Sequence, residues 1–531
     1  ATFTRPVFVD RAVQLGVEYR LFRDRVVDRY YFPEVMGSGI AWVDLDLDGY
    51  LDLYLANGDS LSGTSSHLNQ VYRNCDGNRF ENVTSFVSKD GKGFSQGLSV
   101  GDLNRDGFDD VFVTNFGQNY WLLNQGDGSF ERLAVGEIAQ EPRWSASCVL
   151  VDLEGDGDLD VFVASYIDWT VQNHHRCDYD GVAGYCGPGT YAATNDLIYE
   201  NLGDGRFREI HREAGIDYQS KGLVVCAADF NHDRIPEIYI GSDLTRNAFY
   251  QKNPGEFRYT NVAEDVGLAA SKNGLAEATM GFAVRDFDSN GHIDLFLTHY
   301  YKNKNTLYLN QDKLYFKDAS YESRIKALSF DFIGFGTIPI DYDNDSDFDL
   351  FISNGHVLGE NVSPFRLTPQ IINNASCRFF DISSQAGGYF QKTFAGRGVA
   401  QCDFDNDGDV DIAVGHLDAP LAILLNETET DNRYIQIQLL DVLRNDLTGT
   451  EVVIQVDDQE ITLPVVKGES YLSSGDQRLH IGVGQAKSVE VTVKWRNGMD
   501  SKFGRLETGA TWLLKSNDES VKLESGSWKK R

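Results

Sequence analysis

The chain has 531 residues, with 48 basic and 80 acidic side chains and a formal charge of −32. A hydrophobic fraction of 41% supplies an extensive core and argues against disorder. The acidic surplus excludes a nucleic-acid groove or an anionic membrane surface as a partner, because both would repel it. Glycine, tyrosine and phenylalanine are abundant (51, 25 and 32) and methionine is scarce, which suits short strands and tight turns better than long helices. No apolar run reaches the ~18 residues that a membrane-spanning helix needs. The chain begins Ala-Thr-Phe without Met, the expectation for a processed or trimmed product.

In chain order, the first element is an isolated aromatic strand, Val7-Phe8-Val9-Asp10, followed by Leu15-Gly16-Val17. A repeat then begins. The string Asp-x-Asp-x-Asp-Gly-x-x-Asp recurs with variations from Asp44, Asp102, Asp152, Asp229, Asp286, Asp341 and Asp403. An apolar, Gly-marked segment precedes each copy, as in Gly39-Ile40-Ala41-Trp42-Val43, and a second apolar run follows, as in Leu53-Tyr54-Leu55. Further strand-like and aromatic segments complete four short strands per repeat, the plan of a propeller blade. The seventh repeat lacks its aromatic fourth strand, and the orphan N-terminal strand is of the missing type. The expected fold is therefore all-β: a seven-bladed propeller over residues 1–428, closed by the N-terminal strand. Residues 429–515 carry strand-like runs without acidic loops and predict a small β-sandwich-like module. Residues 516–531 read as a flexible tail.

Oxygen donors at alternate positions of a tight loop suit a hard cation with six to eight ligands, hence Ca²⁺. Positions 1, 3, 5 and 9 are Asp44, Asp46, Asp48 and Asp52 in the first loop and Asp102, Asn104, Asp106 and Asp110 in the second. They are Asp152, Glu154, Asp156 and Asp160 in the third, and Asp229, Asn231, Asp233 and Glu237 in the fourth. The fifth has Asp286, Asp288, Asn290 and Asp294; the sixth Asp341, Asp343, Asp345 and Asp349; the seventh Asp403, Asp405, Asp407 and Asp411. Position 12 is apolar throughout, so these are not EF-hands, and each loop returns as a strand. Up to seven Ca²⁺ are expected, and they would bring the charge of −32 to about −18. Loop four fits least well, with Arg234 in place of Gly and Pro236 on its return.

These loops resemble FG-GAP/VCBS repeats, the calcium-binding blades also found in integrin α-chain propellers. Pro33-Glu34-Val35-Met36-Gly37-Ser38-Gly39, the Cys177…Tyr185-Cys186-Gly187-Pro188 insertion and Asn354-Gly355-His356-Val357 are similar to the cartilage acidic protein (ASPIC) family. So is Gly468-Glu469-Ser470-Tyr471-Leu472-Ser473-Ser474, continuing to Leu479-His480-Ile481-Gly482-Val483-Gly484, which resembles the ASPIC/UnbV module. The resemblance implies a calcium-binding protein that is secreted, at the cell surface or periplasmic, and implies no reaction.

Cys177 and Cys186 flank Asp-Tyr-Asp-Gly in a long insertion and suit a local disulfide in an exported protein. Zinc, with His174 and His175 nearby, is the alternative, and free thiols the third. Calcium loops join the first and second strands, so the loops after the second strands emerge on the opposite rim. That rim is expected to carry His299, His356 and His416, with Glu34 and Glu277 on loops entering blades. Convergence of these five would make a transition-metal site and an enzyme, such as a lyase, dehydratase or metal-dependent oxidase. The leading expectation is instead recognition or adhesion, with an extracellular protein or glycan bound at that rim.

Overall fold

The computed structural model describes residues 3–61, 63, 66–87, 91–134, 143–203, 205–361 and 364–523. Seven four-stranded antiparallel units succeed one another along the chain. The first pairs Ile40–Val43, Asp52–Leu55, Gln70–Cys75 and Arg79–Asn82, and the next five repeat that order. Their first strands are Phe94–Gly101, Arg143–Val151, Gly222–Ala228, Gly281–Arg285 and Gly334–Ile340. In the seventh, Gly396–Cys402, Asp411–His416 and Ala422–Asn426 lack a fourth strand of their own. Phe8–Asp10 supplies it, pairing Phe8 with Asn426 and Asp10 with Leu424. The first strands contact one another in sequence, and that of the seventh unit returns to that of the first, so the blades form a closed ring. Closure pairs an edge that would otherwise stay open.

A repeated side chain joins each blade to the next. Asparagine lies at or next to the end of the third strand in six blades, and its Nδ2 donates to the carbonyl of position 2 in the preceding blade's acidic loop. Asn124 reaches Leu45 O at 2.9 Å, Asn310 reaches Phe230 O at 3.0 Å and Asn374 reaches Phe287 O at 3.0 Å. Asn201 reaches Leu103 O at 3.5 Å and Asn426 reaches Tyr342 O at 2.9 Å. Asn74 of blade one donates to Phe404 O of blade seven at 2.8 Å, across the seam of the ring. In blade four Lys252 takes the place of asparagine and its Nζ donates to Leu153 O at 2.6 Å.

The C-terminal module is two four-stranded sheets. One orders Leu479–Gly482, Tyr434–Leu440, Ala510–Lys515 and Ser520–Leu523, with the middle pair parallel; the other orders Gln459–Pro464, Glu451–Val456, Ser488–Lys494 and Asp500–Glu507. Ile437, Val452, Ile454, Val491, Trp495 and Leu514 fill the space between them, and this core runs on into Phe287 and Phe348 of the propeller. The tail expected from 516 is shorter than its polar composition suggests. Ser520–Leu523 pairs with Ala510–Lys515 as an edge strand whose side chains stay largely exposed, so backbone pairing and not apolar burial holds it. The rest of that tail, 524–531, lies outside the described residues.

Between Pro464 and Leu479 the module sends a loop down the axis of the ring. Lys467 exchanges backbone hydrogen bonds with Ala227, Ser470 with Phe282, and Ser474 O accepts from Trp42 N. Leu472 O accepts from Leu98 N, and Asp476 N donates to Gln401 O. The loop thus meets first strands of blades one, two, four, five and seven. Its tip, Tyr471 and Leu472, is fully buried, with the Tyr471 hydroxyl donating to Met36 O at 2.9 Å and its ring against Phe335. This crowding explains Gly39, just before the first strand of blade one, where a Cβ would lie 1.8 Å from Leu472 O; on Gly281 a Cβ would lie 2.1 Å from Phe335 O of the neighbouring blade. Where the loop leaves the channel, a polar cavity of about 220 Å³ remains between module and ring, lined by Asp102, Arg285, Asp441, Arg444 and Lys467 among others.

Candidate metal centres and the opposite rim

The seven acidic loops share one internal wiring. The position-1 carboxylate accepts backbone amides from positions 5 and 6 in the first loop, Asp48 N and Gly49 N at 3.1 Å each onto Asp44. Loops two, four, five and six repeat the pair, as with Asp345 N and Ser346 N onto Asp341. Position 5 accepts the amide of position 7 in all seven, from Tyr50 N onto Asp48 to Asp409 N onto Asp407. Position 6 has positive φ throughout, and glycine takes it without strain at Gly49 and Gly408. Arg234 and Ser346 adopt the same conformation at φ 70° and 80°, so the loop geometry prevails over their side-chain preference.

Position 9 has a second task that its spacing does not announce. Asp52 Oδ2 accepts Leu45 N at 3.0 Å and its Oδ1 accepts Asn74 N at 2.7 Å, tying the loop to the third strand. Asp110, Asp160 and Asp294 do the same. The asparagine that latches neighbouring blades is therefore also the residue whose amide holds position 9. Both roles are missed when only the loops are aligned. The signal was present in Asn74, Asn124, Asn201, Asn310, Asn374 and Asn426, each at or next to the end of a third strand.

Five loops bring three acids together within metal-ligating reach. They are Asp44, Asp46 and Asp48; Asp152, Glu154 and Asp160; Asp286, Asp288 and Asp294; Asp341, Asp343 and Asp345; and Asp403, Asp405 and Asp407. Each could hold a metal ion. Loops two and four do not form such a trio. Each has asparagine at position 3, and the Nδ2 of Asn104 and of Asn231 donates to an acid of its own loop, Asp106 and Glu237. The donor set fits a hard cation in a further respect. Buried carboxylate oxygens of Asp46, Glu154, Asp288, Asp343, Asp403 and Asp411 receive no hydrogen bond. An unpaired buried carboxylate oxygen is costly unless something positive meets it. Burial first, and then neighbouring carboxylates, push Asp102 up to about 6, Asp345 to about 7 and Asp110 to about 8.

The module covers this face. Asp446 Oδ2 accepts Asp152 N at 3.1 Å, and Arg496 bridges the two acids. Gly482 N donates to Asp341 Oδ2 at 2.9 Å, Arg478 donates to Asp403 O at 2.7 Å, and Arg234 pairs with Asp500 at 2.8 Å.

On the opposite rim the predicted residues have separate partners. His299 is fully buried, with Nε2 3.2 Å from Thr306 Oγ1 and 3.6 Å from Glu277, so this pair does come together. His356 Nδ1 accepts the amides of Val357 and Leu358. His416 has Pro420 O at 2.7 Å on Nδ1 and the Tyr389 hydroxyl at 2.8 Å on Nε2. Glu34 pairs with Arg29 and accepts from the Tyr185 hydroxyl at 2.9 Å. Among the described residues, no trio of donors in ligating reach contains a histidine. The expected phase placed the histidines on one rim, but each ring is held by its own set of partners, with Tyr389 from the segment entering blade seven on His416. Burial holds His299 and His356 well below the ordinary imidazole value, at about 3 and about 4. Cys177 and Cys186 form a disulfide, which removes the zinc alternative, and His174 Nε2 meets Arg29 O at 2.8 Å instead. The disulfide-bonded hairpin packs over the rim through Tyr185.

Known proteins bear on these features. The FG-GAP-like repeat matches residues 44–113 and 102–163, and the ASPIC and UnbV domain matches 444–521. Cartilage acidic protein 1 of Xenopus tropicalis is 20% identical over 498 residues, covering 88% of this chain and 71% of its own. The human protein of that name is 21% identical over 497 residues, covering 88% and 70%. Among solved structures, an Agrocybe aegerita lectin that recognises non-reducing terminal N-acetylglucosamine superposes with a TM-score of 0.41 at 14% identity, over 74% of this chain and 95% of its own. The chain is thus an all-β protein of FG-GAP-like repeats followed by an ASPIC and UnbV domain, similar to cartilage acidic protein 1 across most of its length.

Proposed function

We propose that this protein is a Ca²⁺-loaded extracellular propeller that recognises a protein or glycan. The observation that carries the reading is the set of buried carboxylate oxygens without hydrogen-bond donors, at position 3 of the loops in blades one, three, five and six and at positions 1 and 9 in blade seven. Calcium fits them better than a softer metal, since every side-chain donor is an oxygen. The disulfide and the FG-GAP-like repeats support an extracellular setting, and no described helix is long and apolar enough to cross a membrane. With the module over the calcium face and its loop filling the channel, the surface left for a partner is the opposite rim, including the insertion around Cys177–Cys186. Calcium acts from a distance in this scheme, by holding the blades that display that rim.

Calorimetric titration of metal-stripped protein with Ca²⁺ is the direct test. Binding of several equivalents is expected, with a melting temperature that falls markedly in excess chelator, because the ion binds folded loops and not the unfolded chain. Asp405→Ala should remove one of the sites. An unchanged melting temperature in chelator would count decisively against structural calcium. Partner screens run with and without Ca²⁺ on the wild type, and on protein altered in the 178–181 hairpin tip, then separate loss of the ring from loss of the rim.

A further inference from the structure

We propose that His232 and His292, backed by Glu451, form a binding site for a divalent transition metal such as zinc, copper or nickel, at the junction of blade four, blade five and the C-terminal module. His232 is the fourth residue of loop four and holds a left-handed conformation, φ 63°, with its ring nitrogens meeting Glu451 and His292. His292 is the seventh residue of loop five. Ring packing of adjacent blades sets His232 Nε2 and His292 Nδ1 2.9 Å apart, with the ring planes at 55°.

The protons are assigned by the third residue. Glu451, on the module strand Glu451–Val456, is hydrogen-bonded to His232 Nδ1 and is itself buried and paired with Lys494 at 3.3 Å. A carboxylate can only accept, so Nδ1 of His232 carries the proton and Nε2 presents a lone pair. With His232 Nε2 as the acceptor, the contact between the rings puts the proton of His292 on Nδ1, and a metal ion bound between them would displace it to Nε2. Metal–nitrogen bonds of about 2.0–2.1 Å place two cis imidazole nitrogens roughly 2.9–3.4 Å apart, so little movement is needed. A carboxylate behind the first ligand fixes its ring and raises its basicity, as second partners at metal sites do. The His232 side chain is 29% exposed, which leaves the remaining coordination positions to water. Nitrogen donors distinguish this site from the oxygen cages a few residues away, which prefer harder ions. The inference is independent of whether those cages hold calcium.

The test uses the full chain without a histidine tag, in excess Ca²⁺ to saturate any oxygen cages. Isothermal titration with Zn²⁺ should show one saturable equivalent. Cu²⁺ added at one equivalent should give an electron paramagnetic resonance spectrum with two nitrogen donors. His292→Ala should weaken Zn²⁺ at least tenfold and leave one nitrogen, and His292→Gln, which retains a polar side chain, should do the same. Glu451→Gln should weaken binding by roughly 10-fold or more, while His175→Ala, at an exposed position on the other rim, should change nothing. Absence of saturable Zn²⁺ binding, or binding that both His292 variants leave intact, overturns the site. The nitrogen count from the wild type stands even if a variant misfolds.

Discussion

Asn310 shows how much one side chain can carry in a ring of repeats. Its backbone amide holds Asp294, while its Nδ2 crosses to Phe230 O in the preceding blade. Alanine would keep the first bond and remove the second, leaving a buried carbonyl without its donor. The expected cost is about 1–3 kcal/mol, read as a lowered melting temperature in Ca²⁺-containing buffer. Asn273→Ala, at an exposed position, should leave the melt unchanged. Equal melts for Asn310→Ala and wild type would remove the latch from the account of ring stability. Lys252 performs the same crossing in blade four, which shows that the contact tolerates a change of donor where the loop beneath it is also irregular.

The axial loop is the element whose role the sequence hides most completely. Gly468 to Ser474 is recognisable as a motif, but nothing in its local composition says that the loop around it, Lys467 to Asp476, will bond to five blades. Its partners lie far away in sequence, and hydrophobic periodicity reports only neighbours. The reverse holds for the acidic loops, where ligand spacing, glycine position and the returning strand all lie within a dozen residues. The N-terminal strand was also readable, because an aromatic strand without a blade and a blade without an aromatic strand are both visible in one chain. Histidine convergence on the rim was not, since the loops that carry them differ in length and each ring turns to a local partner. For the axial loop the critical residue is Tyr471. Tyr471→Ala would empty the channel at Phe335 and drop the bond to Met36 O, a loss of about 3–5 kcal/mol by analogy with other buried aromatics. Limited proteolysis in Ca²⁺ should then cut within 465–478, a segment that is protected in the wild type; equal protection would show that Tyr471 does not anchor the loop.

Over the whole molecule the acids impose a pH dependence that metal should cancel. Without metal, burial and neighbouring carboxylates push Asp286 and Asp405 up to about 6, Asp345 up to about 7 and Asp403 up to about 8. The unfolded value is about 4. Folding then favours the protonated acids, so their contribution is full below that unfolded value and is lost as pH rises through 6 to 8. Chelated protein is expected to melt lower at pH 8 than at pH 6, whereas Ca²⁺-loaded protein should hold its melting temperature across that interval. A gap between the two forms that stays constant with pH would show that the loop acids are not the source.

The axial loop also sets an order of events. Residues that fill the centre of the molecule are made after all seven blades, so the ring matures around sequence still to come. Until Arg478 has left the ribosome, the amides of Trp42, Leu98, Ala227 and Phe282 face an empty bore, beside glycines that offer no side chain to cover them. The strand that seals the circumference is made before any of the seven blades, yet it waits for blade seven before it can dock. Segments that precede and follow the seven blades therefore finish the same object from outside and inside. The nascent protein is most vulnerable to wrong pairing in the interval between those two closures.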